Sequence, residues 1–244
     1  MILRYLRSIR IWGLSALLFL VWIPIMAVIR LFDRDPLARR TGRSLRRLGR
    51  MLIRAQAGEL HVSGLENVRP GQPFLIVSNH QSFIDIPVVS FLPGDAKAMA
   101  RSNLFRVPWA GWALQLSKEV PIERDDPRKA ARAMLQCMRV LRGGCSVLIF
   151  AEGTRSPDGE LLPFSEGPFQ LAIRAGVPVL PLVIDGTGRN LPKGAMLFHP
   201  KHPLYLRILP PVPVEGWHIR RAAELRDFVW SRMAAELHDL RNQT

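Results

Sequence analysis

The sequence predicts an α/β fold: a mixed, largely parallel sheet flanked by helices, preceded by an N-terminal membrane-embedded helical segment. Three observations carry this. Short apolar runs recur between residues 59 and 209, and some, such as Leu75-Ile76-Val77 and Val147-Leu148-Ile149, are apolar at every position. A strand with one wet face alternates, so uniformly apolar runs belong to a sheet covered on both sides. Stretches of helical character separate the runs, and strands alternating with helices build parallel sheets.

The first element is Ile11–Ile29, a 19-residue stretch without a charged residue that contains Trp12, Trp22 and Pro24. It is just long enough to cross a hydrocarbon core of roughly 30 Å. A cleaved signal peptide would show a small-residue pattern after the run, whereas Arg30, Arg34, Arg39 and Arg40 follow here. Arg4, Arg7 and Arg10 precede it, so the basic flanks orient a crossing only weakly. Two topologies stay open: a single span, or a helix broken near Pro24 that dips into one leaflet and returns. From Leu37 to Arg54, Thr41, Leu45, Leu48 and Leu52 recur at helical spacing, with Arg39, Arg43, Arg46, Arg47, Arg50 and Arg54 around them. Such a basic amphipathic helix fits the headgroup plane of an anionic leaflet; a solvated helix packed on the domain is the alternative.

These segments divide the chain into a membrane-anchoring part, 1–56, and a second domain, 57–244. Residues 1–54 hold twelve Arg, no Lys and two Asp, a net +10 of the formal +14. Charge concentrated beside an apolar run points to a membrane with anionic lipids and away from nucleic acid, for which no recognised module is present. Cys137 and Cys145 make no metal or redox spacing, and free thiols suit a reducing compartment. The cytoplasmic face of the inner (plasma) membrane is therefore expected, with no metal and no cofactor.

In the second domain the expected strands are Glu59–Ser63, Phe74–Ser78, Lys97–Ala100, Glu119–Ile122, Ser146–Phe150, Val179–Ile184 and Leu204–Leu209. Helices are expected over Pro127–Leu141, with Asp126 as N-cap and Gly143-Gly144 as the stop, from Gly167 to Gly176, and over Arg221–Leu240.

Polar clusters follow two of the strands. Asn79-His80-Gln81-Ser82-Phe83-Ile84-Asp85 places a histidine and a carboxylate five residues apart. On one regular helix they would diverge by about 140°. They meet if His80 sits in the turn and Asp85 in the first turn of a helix, and Ser82 with Asp85 has capping-box spacing. Asp85 would then accept the Nδ1 proton and leave Nε2 as a base, the histidine–acid half of a triad. Ser82 has no G-x-S-x-G elbow and is not expected to be a nucleophile. The bland readings are a satisfied core histidine and a helix-capping aspartate.

The second cluster is Glu152-Gly153-Thr154-Arg155-Ser156. Gly153 permits close backbone approach, Thr154 offers a hydroxyl, and Arg155 offers a fork that suits phosphate. Glu152 would accept from a substrate hydroxyl or orient Arg155; an ordinary polar turn is the alternative. Arg124 ends a strand, where α/β sites gather, although Asp125 and Asp126 could simply balance it. No nucleotide-binding glycine pattern and no zinc spacing occur.

Together these blocks resemble the glycerolipid acyltransferases of the lysophosphatidic acid acyltransferase family (1-acyl-sn-glycerol-3-phosphate acyltransferases). Their N-H-x-S-x-x-D motif matches Asn79, His80, Ser82 and Asp85. A second block resembles Arg101, Leu104, Pro108, Gly111, Ile122 and Arg124. F-P-E-G-T-R-S is matched by Phe150, Glu152, Gly153, Thr154, Arg155 and Ser156, and V-P-[VI]-x-P by Val177, Pro178, Val179 and Pro181. Ala151 departs from the usual Pro, which is expected to loosen the loop, and Ser165 stands where the family has a Lys.

The resemblance implies a glycerolipid acyltransferase-like fold and transfer of an acyl group to the free hydroxyl of 1-acyl-glycerol-3-phosphate, giving phosphatidic acid. The donor would be acyl-CoA or acyl-carrier protein and the acceptor lysophosphatidic acid. His80 and Asp85 would be catalytic, with backbone amides after His80 stabilising the oxyanion. Asn79, Ser82, Arg124, Glu152, Gly153, Thr154 and Arg155 would bind substrate. Glycerol-3-phosphate, another lysophospholipid or a lyso-aminolipid are alternative acceptors, and a non-catalytic lipid-binding protein is the reading from a different class.

Overall fold

The computed structural model describes residues 2–56, 59–123, 125–199 and 202–243. The seven expected strands all form, each end within one residue of expectation: β1 (Leu60–Ser63), β2 (Leu75–Ser78), β3 (Ala96–Arg101), β4 (Val120–Ile122), β5 (Ser146–Phe150), β6 (Val179–Asp185) and β7 (Leu204–Ile208). They lie in one sheet in the order β1-β7-β6-β2-β5-β3-β4. All neighbours run parallel except β6 and β7. The mixed, largely parallel sheet is thus as the apolar runs predict. β2, β5 and β6 lie inside it, and every residue of β2 and β6 is buried.

Eight α-helices are described: α1 (Ile2–Phe32), α2 (Arg39–Gln56), α3 (Asp85–Val88), α4 (Ala110–Leu116), α5 (Pro127–Arg142), α6 (Gly167–Ala175), α7 (Thr187–Asn190) and α8 (Ala222–Asn242). Alternate residues of the strands point to opposite faces. On one face Leu75, Val77, Val147 and Ile149 pack against Cys137, Phe169, Val229 and Met233 of α5, α6 and α8. On the other, Ile76, Leu148, Leu180 and Leu182 pack against Ile53, Ile84 and Val88 of α2 and the chain around α3. α5 starts as expected: the Asp126 carboxylate accepts the N–H groups of Arg128 and Lys129, with Pro127 at the first helical position.

The N-terminal segment departs from expectation in three ways. First, α1 has 31 residues, about 46 Å at 1.5 Å per residue, and runs unbroken through Pro24. The break that one of the two topologies places there is absent; Ile23 and Met26 are buried on either side of the proline, and Trp22 Nε1 donates to Ser44 O at 3.0 Å. Second, α2 is not free to lie in a headgroup plane. It buries Thr41, Ser44, Leu48 and Ile53, with Ser44 O bonded to Trp22 of α1 and Ile53 packed in the apolar cluster of the sheet, leaving Arg40, Arg43, Arg47 and Arg54 exposed. Small residues permit the approach, since a Cβ on Gly49 would lie 2.0 Å from Ser90 Oγ. Arg43 and Arg46 pair with Asp95 at 3.1 and 2.9 Å. Third, residues 1–56 are not set apart from the remainder: Ile11 and Ile53 belong to the same apolar cluster as Phe74 and Leu180. Lys97 of β3, fully buried, also donates to Ala38 O and Ser117 O at 3.3 and 2.5 Å.

α1 is long and apolar enough to cross a membrane, and almost none of its most apolar window is buried inside the protein.

Candidate active site

The carboxyl ends of β2, β5 and β6 converge on one turn. After Ser78 the backbone leaves the β2–β6 ladder, and the Asn79 side chain continues it: Nδ2 donates to Ile184 O and Oδ1 accepts Ile184 N–H, both at 2.8 Å. A short amide carries a donor and an acceptor side by side, as a peptide does. His80 follows, half-buried, with its ring stacked on Phe150 at 4.1 Å between centroids. Its Nδ1 lies 2.7 Å from Asp85 Oδ2. That oxygen also accepts the N–H of Gln81 at 2.6 Å and of Ser82 at 2.8 Å. An oxygen already accepting two N–H donors is the acceptor here too, so Nδ1 is the donor to Asp85. Nε2 makes no hydrogen bond among the described residues.

Asp85 opens α3, as the spacing requires, but only half a capping box forms. Its carboxylate takes the Ser82 N–H, while Ser82 Oγ accepts from Ile84 N–H at 3.3 Å and donates to Leu191 O at 2.7 Å. Ser82 is fully buried, so its hydroxyl is neither a nucleophile nor a substrate contact. Asn79, 1% exposed, is likewise committed to the backbone. Both were expected to touch substrate; the structure places them behind the turn as its supports. Arg124 lies outside the described residues.

Glu152 differs from expectation. It does not pair with Arg155. Its Oε1 accepts the backbone N–H of His80 at 3.0 Å, and its Oε2 is buried without a hydrogen-bond partner. Burial pushes this carboxyl up to about 8, opposed by the His80 and Leu162 N–H groups and assisted by nearby Asp85. Such a group is largely neutral near pH 7. Gly153 adopts φ +77°, a left-handed conformation that costs glycine little. Ala151 does not loosen the loop: its N–H donates to Ser78 O at 3.3 Å, a bond proline could not make, and its carbonyl accepts from Ser165 N–H and Oγ at 2.9 and 3.0 Å. Ser156 N–H closes the loop onto His80 O at 2.7 Å.

Thr154 is exposed and Arg155 half-buried, its guanidinium carbon 4.0 Å from the Phe83 ring centroid. Lys193, unremarked in the sequence, arrives from the chain after α7. Its Nζ donates to Arg155 O at 2.7 Å and Thr154 Oγ1 at 3.3 Å. Arg189 and Arg241 both pair with Asp185, at 2.8 and 3.3 Å, and Arg241 also pairs with Glu160 at 2.6 Å. Among the described residues no group of His, Cys, Asp and Glu could hold a metal ion. Cys137 and Cys145 are buried free thiols, pushed up to about 12 and about 11 by loss of solvation.

An imidazole base oriented by a buried carboxylate, beside a loop bearing cations, at the carboxyl end of a largely parallel sheet, defines a class of group-transfer enzymes. Comparison with known proteins makes the class specific. The chain belongs to the acyltransferase family, whose model, described as Acyltransferase, matches residues 59–185. A 1-acyl-sn-glycerol-3-phosphate acyltransferase of Pseudomonas aeruginosa is 38% identical over 176 residues, 71% of this chain and 67% of its own length. A chloroplastic 1-acyl-sn-glycerol-3-phosphate acyltransferase of Brassica napus is 42% identical over 135 residues, 55% of this chain and 39% of its own length. The chain spans about two fifths of the length of several plant and algal relatives. The crystal structure of the 1-acyl-sn-glycerophosphate acyltransferase PlsC from Thermotoga maritima matches with a TM-score of 0.85 and 27% identity, over 98% of this chain and 97% of that one.

Proposed function

We propose that this chain transfers an acyl group from an acyl thioester to the free hydroxyl of 1-acyl-glycerol-3-phosphate, forming phosphatidic acid for phospholipid synthesis. The observation that carries the reading is the 2.7 Å contact of His80 Nδ1 with Asp85, which leaves Nε2 unengaged beside the Thr154–Arg155 loop. Nε2 removes the hydroxyl proton as the oxygen attacks the thioester carbonyl. The C–S bond then breaks, and the leaving thiolate takes that proton from the imidazolium. The imidazolium is stabilised meanwhile by Asp85.

The oxyanion needs donors. Of the amides in the turn after His80, the Gln81 and Ser82 N–H are committed to Asp85. Among the described residues of the turn 80–85, the Phe83 N–H is the amide without a partner, and we assign it this role. Arg155 takes the acceptor's phosphate, with Gly153 and Thr154 shaping that rim.

The donor is acyl-CoA or acyl-carrier protein. The acceptor is drawn from a membrane with anionic lipids, on the cytoplasmic face, against which α1 lays its exposed apolar side and the free Arg of α2 add charge. An assay of purified full-length protein against lysophosphatidic acid, glycerol-3-phosphate, other lysophospholipids and lyso-aminolipids tests this. Fastest thioester-dependent transfer to lysophosphatidic acid is the expected result. Preference for another acceptor would reassign the substrate, and no transfer at all would leave a lipid-binding protein.

A further inference from the structure

We propose that Lys193 completes the seat for the acceptor's phosphate with Arg155, and that it sets the preference for a phosphorylated acceptor. The inference rests on the function proposed above and adds a residue to it. Lys193 reaches the loop from 38 residues along the chain, and the structure fixes its approach. Ser82 Oγ, inside the catalytic turn, donates to Leu191 O at 2.7 Å, and both residues are buried. A Cβ on Gly188 would lie 3.3 Å from Gln81 Cβ, so this stretch already packs closely on the same turn. The chain carrying Lys193 is therefore positioned by the residues next to His80.

Its charge is unusual for this neighbourhood. Lys193 Nζ donates only to neutral oxygens, Arg155 O and Thr154 Oγ1. Arg155 lies over the Phe83 ring. Among the described residues neither cation makes an ion pair, whereas Arg189 and Arg241 share Asp185. Two like charges gathered on one short loop repel unless an anion joins them. A phosphate monoester carries about −1.5 to −2 near pH 7, which matches the pair. An ammonium group has three donors, and two are spent on the loop. The third is free for a phosphate oxygen, while the planar fork of Arg155 takes two more. The same two bonds to the loop make Lys193 a strut, and that simpler role has to be separated from phosphate binding.

The test is steady-state kinetics of full-length wild type, Lys193→Ala and Lys193→Arg with lysophosphatidic acid and with monoacylglycerol, which lacks the phosphate. Loss of one charge-assisted hydrogen bond should raise KM for lysophosphatidic acid about ten- to hundredfold in Lys193→Ala. At saturation kcat should change less than about threefold, and Lys193→Arg should recover most of the affinity by retaining the charge. Inhibition by inorganic phosphate should weaken in parallel in Lys193→Ala, checked to melt at the wild-type temperature. An unchanged KM, or an equal loss on both acceptors, would overturn the role of Lys193 while leaving the proposed function standing. A wild type that acylates monoacylglycerol as readily as lysophosphatidic acid would overturn both.

Discussion

The backbone N–H of His80 donates to Oε1 of Glu152 over 3.0 Å, so the turn carrying the base is held by a carboxyl group from beyond the end of a neighbouring strand. This makes Glu152 a positioning residue acting through His80. Glutamine keeps an oxygen for that N–H, whereas alanine leaves it unpaired. Glu152→Gln should retain activity within about threefold at pH 7, and Glu152→Ala should lose about a hundredfold, the scale of a small displacement of a catalytic group. The pH dependence of stability distinguishes them further. A carboxyl raised from 4.5 to about 8 by folding stabilises the fold fully below the lower value and loses this as pH rises through the upper one. Wild-type stability in urea should therefore decline from about pH 5 to pH 8 by a contribution that Glu152→Gln removes. A Glu152→Gln protein with the same pH slope would refute the assignment.

Asp85 Oδ2 gathers His80 Nδ1, Gln81 N–H and Ser82 N–H. Asp85→Asn should leave the fold intact but permit the wrong histidine tautomer, lowering kcat about 10³- to 10⁴-fold. His80→Ala should lose at least as much, because it removes the base itself. Circular dichroism matching the wild type, together with single-turnover transfer rates, checks both. Substantial turnover in either variant would rule out base catalysis by this pair.

The strands were legible because their apolar runs are short and bounded, as at Val147-Leu148-Ile149. The His80–Asp85 contact was legible because both members lie in one turn. What escaped depends on distant contacts. Lys193 reads as a lone lysine between Pro192 and Gly194, and long-range contacts such as the Ser82–Leu191 bond bring it to the loop. Glu152 reads as a substrate ligand until the β2–β5 register sets it behind His80. α4 contains Gly111 and Trp112 and follows a proline, so its periodicity is weak. Gly111 is required there because a Cβ would come 2.4 Å from Phe105 O. α1 outruns its apolar core because Arg4 and Arg7 find carbonyl acceptors on Phe198 and His199.

Phe83 holds the Arg155 guanidinium over its ring at 4.0 Å. Phe83→Leu keeps an apolar surface but removes the ring's negative face. It should raise KM for lysophosphatidic acid about two- to fivefold, in line with a partly exposed cation–π contact. Arg155→Ala should raise it further, about ten- to hundredfold, by removing a charge-assisted contact. Equal KM values in Phe83→Leu and the wild type would separate Arg155 orientation from the ring.

The start of α1 touches the sheet domain, and the chain at its end is bonded to α2. Near the start, Arg4 Nε donates to Phe198 O at 3.3 Å and Trp12 Nε1 to Met196 O at 2.8 Å. Near the end, Trp22 Nε1 donates to Ser44 O at 3.0 Å, and Asp33 accepts from the Thr41 N–H and hydroxyl, both at 2.9 Å. A helix crossing the bilayer would carry one end roughly 30 Å across the hydrocarbon core from the domain on the other side. We predict that an unbroken helix bonded to the domain at its start, and to α2 at its end, lies along the interface instead. Leu3 and Leu31 are 83% and 80% exposed and flank this span. Leu3→Cys and Leu31→Cys should therefore react with a membrane-impermeant maleimide from the same side of sealed, oriented vesicles. Background labelling should be low, because burial pushes Cys137 and Cys145 up to about 12 and about 11 and hides both from the reagent. Labelling of the two engineered sites from opposite sides would establish a single crossing and would require the α1 contacts to part in the membrane.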